Sequence, residues 1–268
     1  MLRRRHGRAH PPIRGIVNTR STALTYGGAN AVVTGAASGI GAATVDLLVR
    51  AGIRTLALDL QEARPACADT LVVTAAVDVR DATAVQAALR RAFPDGQLNY
   101  LVNCAGIPAH TGFRGVDADQ WRSVLEVNLV GAYNLIDAST DLLAAGDPAA
   151  VVNITSMEAS RVIALTNPDP NPHYAASKAA LAMLTRTAAR ALGPHTRVNS
   201  IAPGFVATPM AAEHGDTSTL PPQLSARTVA GRWAQPAEIA SAVGFLLSDQ
   251  ASYITGAELC VDGGLALT

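Results

Sequence analysis

Tyr174 and Lys178 stand four residues apart, the spacing that places two side chains on one face of a helix. A phenol has an ordinary pKa of about 10, so near neutral pH it is a poor base. Bringing it to about 7 means favouring phenolate by about 4 kcal/mol, at 1.36 kcal/mol per unit. Two unit charges about 4 Å apart interact by roughly 4 kcal/mol at an effective dielectric near 20. One ammonium at Lys178 therefore has an effect of the required size, and Tyr174 becomes a candidate general acid/base for a hydroxyl proton. Lys178 is the single lysine among 21 basic residues. A compact ammonium with three rotatable donors does what the broad guanidinium fork of arginine does not.

A second group of residues has the chemistry to hold a dinucleotide. Gly35, Gly39 and Gly41 stand in Thr34-Gly-Ala-Ala-Ser-Gly-Ile-Gly41, between an apolar run and a helical pattern. Such a turn lets backbone N–H groups approach a pyrophosphate at a helix N-terminus. Asp59 ends the second apolar run, where a carboxylate accepts from both adenosine ribose hydroxyls and repels a 2′-phosphate. Ser38 leaves the glycine turn without a cation for that phosphate. The cofactor expected is NAD.

The elements that must position these residues alternate. Apolar runs at 31–33, 54–60, 71–77, 100–103, 150–154, 197–201 and 258–261 are interleaved with helical patterns at 40–50, 81–93, 121–143 and 174–192. Asp81 is an N-cap candidate. The alternation predicts an α/β fold, a doubly wound parallel seven-stranded sheet covered on both faces, in one domain over 29–268. Residues 1–28 carry six arginines and no acid. They read as a basic, disordered extension, with a transit peptide as the alternative. The proline-punctuated segment Asn167–Pro172 predicts extra rim beside the pocket. Residues 211–226 predict a substrate lid.

Net charge is zero, but beyond the extension 15 basic residues face 21 acidic ones. That balance argues against a nucleic-acid partner. No run approaches the roughly 18 apolar residues of a membrane span. Cys67, Cys104 and Cys260 have neither metal-ligand nor disulfide spacing, so no metal is expected and a reducing, cytoplasmic setting fits.

Taken in order, Thr34-Gly-x-x-x-Gly-x-Gly41, Asp78-Val79, Asn103-Cys-Ala-Gly106, Asn128, Ser156, Tyr174-x-x-x-Lys178 and Pro203-Gly204 resemble the short-chain dehydrogenase/reductase family over about residues 29–268. The resemblance implies a Rossmann-like fold and hydride transfer between NAD(H) and a secondary alcohol or ketone. It assigns Asn128, Ser156, Tyr174 and Lys178 to catalysis. Ser156 would donate to the substrate oxygen, ahead of its neighbour Thr155. Asn128 would hold a water in a proton relay to Lys178. Gly35, Ser38, Gly39, Ile40, Gly41, Asp59, Asp78, Val79, Asn103, Ala105, Gly106, Tyr174, Lys178, Pro203, Gly204, Val206 and Thr208 would contact the cofactor. A homotetramer is implied, with the 121–143 and 174–192 helices at an interface. The chain departs from the family at Cys104, where a second Asn is commoner. It departs again in the 18-residue step from Ser156 to Tyr174, longer than the usual dozen or so. The competing reading is a dinucleotide-sensing regulatory protein on the same fold. Met157, Glu158, His173 and His214 are pocket or packing candidates.

Overall fold

A computed structural model describes residues 23–61, 70–162, 170–213 and 215–267. Cys67, His214, Asn167–Asp169 and most of the basic extension lie outside the described residues.

The chain runs through β1 (Asn30–Thr34), α1 (Gly39–Arg50), β2 (Arg54–Asp59), β3 (Val72–Ala76), α2 (Ala82–Ala92) and β4 (Tyr100–Asn103). One helical stretch follows, made of α3 (Ala118–Leu125), a π-helical turn (Glu126–Gly131) and α4 (Ala132–Ala144). Then come β5 (Ala149–Ile154), α5 (Pro172–Leu192), β6 (Thr196–Pro203), the short α6 (Pro209–Ala212) and α7 (Pro222–Ser225), α8 (Pro236–Leu247) and β7 (Glu258–Val261). All seven strands pair in parallel, in the order β3-β2-β1-β4-β5-β6-β7.

The central strands β4 and β5 are buried along their whole length, whereas β3, at the sheet edge, is partly open. Near-continuous apolar runs are what a parallel strand covered on both faces requires. Alternate side chains feed two cores. Val33, Val102 and Val152 pack under α1 and α8 with Leu48, Val243 and Leu247. Val32, Leu101 and Val151 pack on the other face with Val85, Leu135 and Ala188 of α2, α4 and α5.

Asp81 caps α2 by accepting from the Thr83 and Ala84 N–H groups, as expected. Two features differ from the sequence reading. The 121–143 helix is interrupted by the π-turn around Asn128. And α8 was not anticipated, although Gln235 and Glu238 form a capping box, Pro236 opens the helix, and Ile239, Val243 and Leu246 repeat on one side. Residues 25–28 are tied to the body, with Gly28 N–H donating to Tyr100 Oη and Gly27 N–H to Asp249 Oδ1. The 211–226 segment is pinned at Leu224, which is buried.

Candidate active site

The strand order turns back between β1 and β4, and the crevice at the carboxyl ends of those strands is where parallel α/β sheets take ligands. The glycine turn after β1 forms one wall. Gly35 and Gly39 have φ of 65° and 52°, the left-handed region open to glycine. A Cβ on Gly41 would stand 2.0 Å from the Gly35 carbonyl oxygen, so the helix start packs against the turn with no room for a side chain. Thr34 Oγ1 accepts from the Cys104 and Ala105 N–H groups and so ties the β4 loop to this turn. The sequence reading quoted Thr34 without giving it a role.

Asp59 lies at the mouth of the same crevice. Its Oδ2 accepts from Ala37 N–H and its Oδ1 from Gln61 N–H, both at 3.0 Å. A carboxylate has about four lone-pair sites, so two remain for ligand hydroxyls. Ser38 is exposed and makes no capping bond, and Ile40 is partly buried beside it. Thr208 caps α6, its hydroxyl accepting from Ala211 N–H, and its methyl faces Gly39 across the crevice. Pro203 closes β6. Gly204 passes so close to Asp262 that a Cβ would stand 2.8 Å from its Cα. Val206 is buried and bridges to Ala234. The cradle, its close backbone approaches and the Asp59 acceptor suit a dinucleotide.

Other residues expected at the cofactor have side chains engaged within the protein. Asp78 is engaged by Arg80, which donates from Nε and Nη2 and holds the carboxyl below its ordinary range. Val79 is buried against Gly131. The Asn103 amide donates not into the crevice but to Asn153 Oδ1 inside the sheet, and Asn153 donates in turn to Thr185. Only the backbone of this residue, with Ala105 and Gly106, faces the crevice loop. Burial pushes the Cys104 thiol up to about 12, which suits a filler and not a nucleophile.

The catalytic candidates converge at the deep end. Tyr174 and Lys178 share the inner face of α5, with Lys178 Nζ 5.8 Å from the Tyr174 ring centroid. Lys178 is buried and donates to the Ile154 carbonyl at 3.0 Å. Ser156 lies close enough to Tyr174 to favour its phenolate, and its Oγ accepts from Glu158 N–H. Thr155 turns away, its single hydroxyl proton shared between Ile201 O and Glu258 Oε1, which leaves Ser156 as the hydroxyl near Tyr174.

Asn128 sits in the π-turn. Its amide donates to Ile107 O and Ser177 Oγ while its Oδ1 accepts from Ile107 N–H. A π-turn inside an α-helix commonly marks a functional position, because the extra residue re-aims a side chain. Between Asn128 and Lys178 stands Gly106. A Cβ there would be 3.2 Å from Asn128 Oδ1 and 3.4 Å from Lys178 Nζ. Glycine therefore keeps open the space between the two groups.

The electrostatics correct one expectation. Burial, reinforced by the Glu158 carboxylate, pushes the Tyr174 phenol up to about 12. Burial also pulls the Lys178 ammonium down to about 8. Lys178 is directed at the Ile154 carbonyl and is not among the groups that shift Tyr174, so in the free protein the pair alone does not bring the phenol near 7. Met157 is buried, and His173 is buried against Trp121 at 5.9 Å between rings. Arg114 and Arg161 are exposed. Among the described residues no group of three or more metal-ligating side chains is assembled, and no helix is long and apolar enough to cross a membrane.

Residues 35–266 match the family model described as "Enoyl-(Acyl carrier protein) reductase". The chain is 37% identical over 247 residues to cis-4-hydroxycyclohexanecarboxylate dehydrogenase of Sinomonas cyclohexanicum, covering 87% of this chain and 95% of that protein. It is 36% identical over 249 residues to galactitol 2-dehydrogenase (L-tagatose-forming) of Cereibacter sphaeroides, covering 91% and 97%. The structure of a Brucella melitensis short-chain dehydrogenase/reductase superposes with a TM-score of 0.81 at 31% identity, covering 90% of this chain and 98% of that one. With its parallel seven-stranded sheet and these relatives, the chain belongs to the short-chain dehydrogenase/reductase family. It is an oxidoreductase of the class that uses a nicotinamide dinucleotide on small alcohols and ketones.

Proposed function

We propose that this protein is an NAD-dependent dehydrogenase/reductase of a secondary alcohol or ketone, with Tyr174 as the acid/base. The observation that carries the reading is the convergence of Ser156, Tyr174, Lys178 and Asn128 at one end of the crevice, with Gly106 leaving space between the last two. The nicotinamide, when bound, supplies the hydride acceptor or donor and, when oxidised, a positive charge.

Around it, the glycine turn from Gly35 to Gly41 would hold the pyrophosphate. Asp59 would accept from the adenosine ribose hydroxyls. Val206 and Thr208 would meet the carboxamide. Asp78, Val79 and the Asn103–Gly106 loop would enclose the adenine and the inner ribose through backbone and packing. Ser156 orients the substrate oxygen by donating a hydrogen bond. Tyr174 Oη gives its proton to that oxygen in reduction and takes one in oxidation. Lys178 opposes the cost of the phenolate, and the space at Gly106 has room for a proton-carrying water between Lys178 and Asn128. A neutral phenol in the free protein makes proton donation the easier half of the cycle.

The test is kinetic. Tyr174→Phe is expected to lose turnover by about 10³-fold or more while NADH still binds, as read by fluorescence titration. Wild-type turnover in that variant overturns the mechanism. For the choice of cofactor, Asp59→Ala should cut the NAD over NADP preference in kcat/KM by at least about tenfold, and unchanged discrimination overturns the ribose role.

A further inference from the structure

Glu158 is the charged group of the site that the catalytic reading leaves without work. The short turn Met157–Ala159 after β5 sets it two residues beyond Ser156, whose Oγ accepts its backbone N–H. That turn packs against α5, the helix that carries Tyr174, so Glu158 stands near enough for its charge to be felt at the phenol that would handle the substrate proton. The side chain is partly buried. Among the described residues no hydrogen bond or ion pair satisfies its carboxylate, and burial holds the carboxyl above its ordinary range. An unpaired, partly desolvated carboxylate costs free energy unless a ligand completes it. Here its charge also works against ionisation of Tyr174.

We infer that Glu158 is a substrate-reading residue that accepts a hydrogen bond from a hydroxyl neighbouring the reacting carbinol, selecting neutral polyhydroxylated alcohols and excluding anionic ones. This rests on the dehydrogenase reading above and deepens it. An ionised carboxylate is acceptor-only, so it rewards substrate O–H donors. A substrate carboxylate brought beside it meets a like charge, which disfavours binding. A site built to bond a substrate hydroxyl also rejects the analogue that lacks it, because the buried acceptor is left unpaired. Arg114 and Arg161, the cations that could have reversed this preference, are exposed at the surface.

Three matched probes test it: cyclohexanol, cis-cyclohexane-1,2-diol and 4-hydroxycyclohexanecarboxylate, assayed with NAD on the full chain and on Glu158→Gln. The wild-type protein is expected to favour the diol over the carboxylate by at least about tenfold in kcat/KM. Glu158→Gln should move that ratio about tenfold toward the carboxylate. A purely structural defect lowers all three probes together and leaves the ratio where it was. A wild-type preference for the carboxylate, or a ratio unchanged within about twofold in the variant, overturns the assignment. Should Glu158→Gln not fold, the wild-type ratio and Glu158→Asp, which keeps the charge and is expected to keep the diol preference, decide it. If none of the probes is oxidised and the matching ketones are not reduced, the dehydrogenase reading fails, and this one with it.

Discussion

Lys178 and Tyr174 are each held toward their neutral forms by the interior they share. For Lys178 the folded-state value of about 8 lies below the ordinary 10.5, so between those limits the unfolded chain binds more protons than the folded one. Its contribution to stability therefore rises with pH from about 8 to 10.5 and is fully unfavourable below that window. Lys178→Met should abolish activity yet raise unfolding stability near pH 7 by about 2 kcal/mol. That figure is the desolvation relieved, at about 1.36 kcal/mol per unit, less the lost bond to Ile154. Thermal unfolding at pH 7 and 10 checks it: the gain must shrink at the higher pH, and a destabilised variant refutes the account. The phenol at about 12 has a kinetic counterpart. The kcat/KM for alcohol oxidation should climb with pH from about 6 and level near 8, where Lys178 loses its proton. A flat profile would show that Tyr174 is not the base.

At the scale of elements, three pieces bring the site together: the turn from β1 into α1, the π-turn ahead of α4, and the inner face of α5. The π-turn lets Asn128 bond both backbone groups of Ile107 and Ser177 Oγ, so the amide is fixed from three directions. Gly106→Ala places a methyl in the tight range of Asn128 Oδ1 and Lys178 Nζ. It should lower kcat by about tenfold or more, beyond any loss of NADH affinity measured in parallel by fluorescence titration, because the methyl fills the space between them. Equal turnover in the Ala variant would remove the proton relay from the mechanism. Across the crevice, His110 Nε2 lies 3.3 Å from Glu213 Oε2. That contact joins the loop after β4 to the end of α6, where the expected lid begins.

For the whole molecule, the π-turn with α4, and α5, cover the sheet yet still carry apolar groups outward. Val130 is 42% exposed, Tyr133 50% and Met183 54%. Scattered exposed apolar groups are ordinary on a monomer, but these lie on the two helices that the family resemblance places at an interface. We propose a homotetramer whose catalytic body spans residues 29–268. Light scattering should give about four times the 27.6 kDa chain mass. Tyr133→Asp with Met183→Asp should lower that mass, and a monomeric wild type refutes the assembly.

The sequence by itself determined the sheet and its two layers, because apolar runs and helical periods are local signals that the fold has little freedom to override. The glycine turn, the Asp59 carboxylate at a strand end and the Tyr174–Lys178 spacing are local patterns of the same kind, whereas Ser156 is singled out only through the family resemblance. The signals for α8, a capping box and an apolar repeat, are equally local. What only the tertiary structure decided is direction. It turned Asn103 into the sheet, gave Asp78 to Arg80 and aimed Lys178 at the Ile154 carbonyl. It also left Glu158 beside Tyr174 without a partner among the described residues. Each of these depends on which distant strand or helix arrives opposite the side chain, and so does the desolvation that moves Tyr174 and Lys178 away from their ordinary pKa values.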